Sequence, residues 1–414
     1  MSDETQNDLR ERLERASEEH DGAAAESVLD SVSSADAIRA VSQMSEEGRA
    51  ALLASLPTER AAALVEQIPD AQAVEIFDDL APDAAARIIT ELPSAEQADL
   101  LGDLSREDAE AILASMSPED AREARVLTRY ADDVAGGLMV TELLAYPEDF
   151  TVEQVVSDLR ANAETYQDYD VQYAYVVDRR HRLRGVLPMR KLLLAPPSQP
   201  IRELMVRNPV SVRDDASLDE LRELFDKHRF FGVPVVDRRG ALLGVIQRAG
   251  VEEALAERTD DEYRKALGIV GGEELRSMPL LVRSRRRLAW LSVNIMLNII
   301  AASVIALYQD TLSAVIALAV FLPIISDMSG CSGNQAVAVS MRELSLGLVR
   351  PGDVFRVWLK EVAVGLVNGV VLGGLIAAAA WLWKGNAWLG LVVGAALALN
   401  TLISVSIGGT VPLL

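Results

Sequence analysis

At 414 residues, half of them apolar, with a formal net charge of −22, the chain has room for two to four domains and is more apolar than an ordinary soluble protein. The charge is unevenly placed: up to Ser277 there are 57 acidic and 31 basic residues, and from Met278 onward only 5 and 9. An acidic front half excludes a general nucleic-acid binder, which needs clustered Lys and Arg, and favours cations as partners. The same charge also serves simply to keep a surface solvated, and with only five lysines it suits a high-salt cell.

The first 22 residues, "MSDETQNDLRERLERASEEHDG", have no apolar core of a signal peptide, and residues 1–31 are expected to form a polar helix or a disordered tail. Cys331 is the single cysteine, so no intramolecular disulfide is possible and a reducing compartment suits the soluble part. The three histidines, His20, His181 and His228, lack metal-ligand spacing. With no Gly-rich phosphate loop and no nucleophile elbow, an enzyme is not expected.

From Val32 an apolar residue beside a turn or cap recurs every twelve positions: Val32, Met44, Leu56, Ile68, Leu80, Leu92, Leu104 and Met116. Apolar pairs repeat inside the units, from Leu52 and Leu53 to Ile112 and Leu113, and Pro57, Pro69, Pro82, Pro93 and Pro118 punctuate the joins. Proline suits the first turn of a helix and disrupts its interior, so each unit reads as a helix of two to three turns. Such a short helix cannot bury its stripe alone; residues 32–129 are predicted to stack into an all-α superhelical repeat domain.

Around Tyr173 the pattern changes. "VQYAYVVDRRHRLRGVLPMRKLL" and "FFGVPVVDRRGALLGVIQRAGVEEAL" each read as a β-rich run, a charged turn, a second run and the start of a helix, and each follows an amphipathic helical stretch. The matched landmarks are Val176-Val177-Asp178 with Gly185-Val186, and Val235-Val236-Asp237 with Gly244-Val245. Two such units resemble a tandem cystathionine-β-synthase (CBS) pair, an α/β regulatory module, with the first domain at 130–199 and the second at 200–258. Nucleotide-binding members of that class usually continue the second run into a Thr and an Asp that hold the ribose. Gln247-Arg248-Ala249-Gly250 stands there instead, which argues against a nucleotide at this CBS pair.

The C-terminal part is built for lipid. Runs at 283–308, 311–326, 354–383 and 387–414 predict four spans, since about twenty apolar residues cross a bilayer core. The second is short up to Pro323 and is expected to continue to about Met341 as a broken helix, because Asp327, Ser329, Cys331, Asn334 and Gln335 follow closely. Hydrocarbon rejects such groups unless they line water, hold an ion or pack inside protein. Arg283, Arg285, Arg286 and Arg287 precede the first span, and Arg342, Arg350 and Arg356 lie between the second and third. The positive-inside rule then places the acidic region in the cytoplasm of a multi-pass cell-membrane protein. Asn294 and Asn298, and the small residues of "GLVNGVVLGG", suggest helix packing.

Taken in order, the acidic repeat, the CBS pair and the membrane part resemble the MgtE magnesium channel family from about Ser33 to Leu414. The marks are "YADDVAGGLM" at 130–139, "LAW" at 288–290, "GCSGNQ" at 330–335 after a proline-containing span, and "WLKEVAVGL" at 358–366. The resemblance implies a connecting helix at 259–286 ahead of a helical transmembrane domain at 287–414, and a homodimer in lipid with its pore on the two-fold axis. It implies Mg2+ as both the transported and the regulatory ion. Asp327, Gly330, Ser332, Gly333 and Asn334 become the ion-pathway candidates. Asp214, Asp215, Glu257, Asp260, Asp261 and Glu262 become the candidates for sensing cytosolic Mg2+.

Three departures stand beside the resemblance. Cys331 replaces an Asn of the family glycine motif; Ala249-Gly250 replaces a usual Asp pair; and the sequence stops before the fifth span, whose Asp-Pro-Ala aspartate is the family's principal ion ligand. Either that span is missing, or Asp327 takes over part of its role. The competing reading is a membrane-anchored CBS sensor that does not itself conduct; such a sensor needs no polar stretch at 323–335.

Overall fold

The computed structural model describes residues 3–166, 169, 172–266, 268–269, 278 and 280–413. The chain forms two compact units, Met1–Leu288 and Ala289–Leu414.

The first unit begins with ten helices: α1 (Asp3–Glu18), α2 (Gly22–Asp30), α3 (Ser34–Ser42), α4 (Glu46–Ser55), α5 (Thr58–Val65), α6 (Asp70–Asp79), α7 (Pro82–Thr90), α8 (Ser94–Asp103), α9 (Arg106–Ser115) and α10 (Asp120–Leu127). The twelve-residue period is the helix repeat. Met44, Leu56, Ile68, Leu80, Leu92, Leu104 and Met116 are buried just past successive helix ends, and the apolar pairs between them are buried too. Alternate helices touch, α4 on α6, α6 on α8 and α8 on α10, with α5 on α7 and α7 on α9, so two stacks share one core. The stretch expected to be a polar helix or disordered tail is part of this core: Leu9, Leu13 and Ala16 of α1 are buried, and α1 packs on α2, α3 and α4.

Two small sheets follow. The first has the order β1-β2-β3-β4, from β1 (Leu144–Pro147), β2 (Tyr173–Val177), β3 (Leu183–Pro188) and β4 (Val206–Arg207); β1 runs parallel to β2 and the other pairs are antiparallel. Its helices are α11 (Val152–Ala161), α12 (Ala163–Tyr166), α13 (Met189–Leu194) and α14 (Ile201–Leu204). The second has the order β5-β6-β7, from β5 (Val212–Arg213), β6 (Gly232–Val236) and β7 (Leu242–Gln247), with α15 (Leu218–Lys227) between β5 and β6 and α16 (Arg248–Ala266) after β7. The repeat is legible in the caps: Thr151 with Gln154 opens α11 and Ser217 with Glu220 opens α15, each a reciprocal capping box.

The junction 130–140, expected to open the first CBS domain, docks on the second. Ala135 N–H donates to Ala216 O at 2.7 Å, Gly136 N–H to Asp214 O at 2.8 Å, and Val140 and Val245 exchange both backbone bonds at 2.9 Å. Ala98 of α8 and Leu127 of α10 share a core with Leu218, Leu221, Phe225 and Val251, which seats the helical repeat on the second CBS module.

The second unit continues α17 (Leu280–Leu307), which bridges the unit division, and adds α18 (Gln309–Ala314), α19 (Ala317–Ser345), α20 (Val354–Lys384) and α21 (Ala387–Thr410). By length and composition α17, α20 and the stretch Ala387–Leu413 are long and apolar enough to cross a membrane. Helix α19, at 29 residues, also exceeds the length a span requires but carries the polar run. The expected helix break is absent: Pro323 lies inside α19, and Gly330 and Gly333 are helical. Small residues explain this. Gly333 lies so close to α21 that a Cβ there would sit 2.6 Å from Ser404 Oγ, and a Cβ on Gly408 would meet Gly333 O at 2.4 Å, so Gly333 and Gly408 serve close helix contact in place of a bend, while Gly330 has open space beside it. Helices α20 and α21 pack in the same way through Gly365, Gly369 and Gly373 against Leu402, Ala398 and Gly394. Gly385, at φ 65°, ends α20 in the left-handed region, and the Asn386 side chain caps α21.

Candidate functional site

Three polar bonds fix the rotation of α19 against α21. Ser404 Oγ donates to Ser329 O at 2.5 Å, Asn400 Nδ2 to Ile325 O at 2.8 Å, and Ser340 Oγ to Gly409 O at 2.7 Å. This turns Ser332, Gly333, Ala336 and Ser340 toward α21, where Ser332 and Ser340 are buried. The other side of α19 is left open, and Asp327, Gly330, Cys331 and Asn334 are exposed on it at spacings of three and four, one helical face. Of the five ion-pathway candidates, Asp327, Gly330 and Asn334 therefore come together, whereas Ser332 and Gly333 serve the contact with α21. Because the stretch is helical, its carbonyls are engaged along the helix axis; on this face the side-chain oxygens are those of Asp327 and Asn334.

The sensing candidates separate as well. Asp214 accepts from Tyr130 Oη at 3.3 Å through Oδ2, so it belongs to the junction. Asp215 pairs with Arg213 at 2.5 Å, Asp261 with Lys265 at 2.6 Å, and Glu262 with Arg258 at 3.3 Å. Asp260 is exposed on α16. Glu257, also on α16, is the member that stands in a larger acidic group, because its charge acts on Asp99 of α8.

That group was missed in sequence. Water removal by the packed walls pushes Glu96 up to about 7, helped by the charges of Glu66, Glu253, Asp70 and Asp99. The same cause pushes Asp99 up to about 7, with Asp132, Asp70, Asp103 and Glu257 adding to it. Asp103 is raised by desolvation and then by Asp132 and Asp70, and Glu66 by desolvation. Glu96 and Asp99 still reach solvent, which leaves access for a hydrated ion. Among the described residues no three acidic, His or Cys side chains close around one point as a direct ligand cage. The arrangement suits a cation that keeps its water and neutralises a crowded face, the habit of Mg2+. The signal was available: Glu96, Asp99 and Asp103 recur at three and four along α8, and Glu253 and Glu257 at four along α16.

Similarity to known proteins follows the same division. Residues 32–133 match the MgtE intracellular N domain, 201–257 the CBS domain, and 322–414 the divalent cation transporter family. The magnesium transporter MgtE of Thermus thermophilus is 34% identical over 308 residues, 72% of this chain and 66% of that protein. That of Bacillus subtilis is 29% identical over 300 residues, with the same two coverages of 72% and 66%. The crystal structure of the cytosolic domain of the Mg2+ channel MgtE in complex with ATP aligns at TM-score 0.53 with 31% identity, covering 59% of this chain and 99% of that one. The chain belongs to the MgtE family. Its organisation as a superhelical repeat, a CBS pair and a helical membrane region is the MgtE organisation, and the MgtE relatives are named as transporters. It spans just under two thirds, 66%, of the length of these two curated MgtE relatives.

Proposed function

We propose that the chain forms the Mg2+ pathway of a channel or transporter that imports Mg2+ across the cell membrane. The observation that carries this reading is the open polar face of α19, Asp327 with Gly330 and Asn334, beside long apolar helices. Mg2+ favours six oxygens at near-octahedral geometry and sheds water reluctantly, so a carboxylate and an amide oxygen beside room for water fit it. An ionisable group within a membrane-spanning segment is a functional candidate by default. Two copies apposed through this face would double each contact and cover it from lipid, which supports a homodimer with a shared pathway. A CBS sensor without conduction leaves this face unexplained.

The acidic group on α8 and α16 supports regulation by cytosolic Mg2+. Like charges held together destabilise the closed-up arrangement, and a divalent ion relieves them, so ion binding biases the soluble unit toward compactness. Helix α17 runs unbroken from Leu280 to Leu307, giving that bias a covalent route into the first apolar helix. Nucleotide is left out of the proposal. Arg248 is committed to the carbonyls of Phe225 at 2.8 Å, His228 at 2.6 Å and Phe230 at 3.1 Å, where ribose recognition would require an acceptor.

The test is Mg2+ uptake into liposomes holding the purified chain. Uptake that saturates and that falls with an Asp327→Ala substitution supports the pathway; tight vesicles with protein and no flux reject it.

A further inference from the structure

A basic island sits on this acidic body. The turns β2–β3 and β6–β7 have the same sequence start, Asp-Arg-Arg, and their tips join. Leu183 N–H donates to Gly240 O at 3.0 Å and Leu242 N–H to His181 O at 3.0 Å, with Arg182 bridged to Ala241. His181 and Gly240 occupy matching left-handed positions, at φ 57° and 79°. The seam therefore gathers Arg179, Arg180 and His181 from one turn with Arg238 and Arg239 from the other, all five exposed.

The neighbouring carboxylates do not neutralise them. Asp178 accepts from the backbone N–H groups of Arg180 at 2.8 Å and Arg182 at 3.0 Å, and pairs with the side chains of Arg182 at 2.9 Å and Arg184 at 2.8 Å. Asp237 accepts from the N–H groups of Arg239 and Ala241, both at 2.8 Å. Among the described residues, the guanidinium groups of Arg179, Arg180, Arg238 and Arg239 have no ion pair or hydrogen bond. Four planar forks, each able to grip two oxygens, thus stand on two joined turns of a unit that carries a large negative charge.

We propose that this arginine seam binds a compact phosphate-bearing anion. Guanidinium forks match phosphate oxygens in pairs, and four of them at two joined turns suit two or three linked phosphate groups. The acidic body around the seam repels a long polyanion, which selects a small ligand over a nucleic acid.

The test maps phenylglyoxal modification of individual arginines by mass spectrometry, using the full chain in Mg2+-free buffer. Sodium tripolyphosphate is the soluble probe; nanodiscs of phosphatidylglycerol against phosphatidylcholine probe a lipid headgroup. Expected is at least fivefold slower modification of Arg179, Arg180, Arg238 and Arg239 with one probe, and an unchanged rate at Arg87, exposed on α7. Protection by tripolyphosphate assigns a soluble ligand, and protection by phosphatidylglycerol alone assigns a headgroup. An R179Q/R238Q chain should lose the protection of Arg180 and Arg239. Protection by neither probe, equal protection at Arg87, or full protection in that variant overturns the proposal. No outcome depends on Mg2+ flux, so this site stands or falls apart from the ion pathway.

Discussion

Ser404 donates its hydroxyl to the carbonyl oxygen of Ser329 at 2.5 Å, linking α21 to the turn of α19 that follows Asp327. One turn further on, Gly333 and Gly408 lie in backbone contact, so the small residues determine how α19 is rotated and which of its side chains stay open. A Cβ on Gly408 would lie 2.4 Å from Gly333 O, and a backbone oxygen inside a helix has little freedom to yield. Gly408→Val should cost about 1–3 kcal/mol of overpacking and abolish flux by rotating α19. Thermal unfolding in detergent and liposome uptake, measured on the same preparation, check it; normal stability with normal flux is the contrary result.

The same rotation separates neighbours in sequence. Asp327 and Asn334 face outward while Ser332 is buried against α21. Asp327→Ala is expected to lower Mg2+ uptake by about tenfold or more, since it removes the carboxylate from the path. Ser332→Ala should change uptake by less than about twofold, because it touches packing and no ion. Equal losses in the two variants would return the pathway to the buried side.

Much of this was legible in the sequence, and the failures have physical causes. The twelve-residue period located the repeat core because each helix buries the same two positions. Val176-Val177 and Val235-Val236 marked β2 and β6 because a run buried on both faces is continuously apolar. Residues 1–31 were expected to be a polar helix or a disordered tail, with no part in the core, because the buried stripe of α1 is only Leu9, Leu13 and Ala16 amid charge. The broken helix was expected from Pro323 and the polar run from Asp327 to Gln335; the stretch stays helical where Gly333 packs against Ser404 and Gly408. Of the acidic face, the sequence shows the spacings along α8 and along α16 separately but not their meeting, because Asp99 and Glu257 are remote in sequence and the docking of Ala98 and Leu127 on the second CBS module brings them together.

That face gives a pH dependence of known sign. Glu96 and Asp99 are pushed up to about 7 from ordinary carboxylate values, so the folded soluble unit retains protons that the unfolded chain has released. Its stability should fall as pH rises through the window from ordinary carboxylate values to about 7 and level off above it. Without Mg2+, the midpoint of unfolding should be higher at pH 6 than at pH 8; millimolar Mg2+ should close the gap by raising the value at pH 8. Asp99→Asn should stabilise the Mg2+-free protein at pH 8 and shrink the Mg2+ response. A pH profile unmoved by Asp99→Asn would remove this face from ion sensing.

The junction that seats the helical repeat offers the last test. A Cβ on Gly136 would lie 2.3 Å from the Tyr130 ring, whose hydroxyl donates to Asp214, while the Gly136 N–H is already bonded to Asp214 O. Ring and backbone are therefore held by the same residue, and neither can retreat without straining its own bond to Asp214. Gly136→Ala should cost about 1–3 kcal/mol through the displaced ring. Tyr130→Phe removes only the 3.3 Å hydrogen bond and should cost about 0.5–1.5 kcal/mol. Limited proteolysis with and without Mg2+ checks the functional link. Gly136→Ala should expose residues 130–140 to cleavage even at millimolar Mg2+, whereas Tyr130→Phe should remain protected. Identical protection in Gly136→Ala and the unaltered chain would show that the helical repeat is held on the second CBS module without this contact.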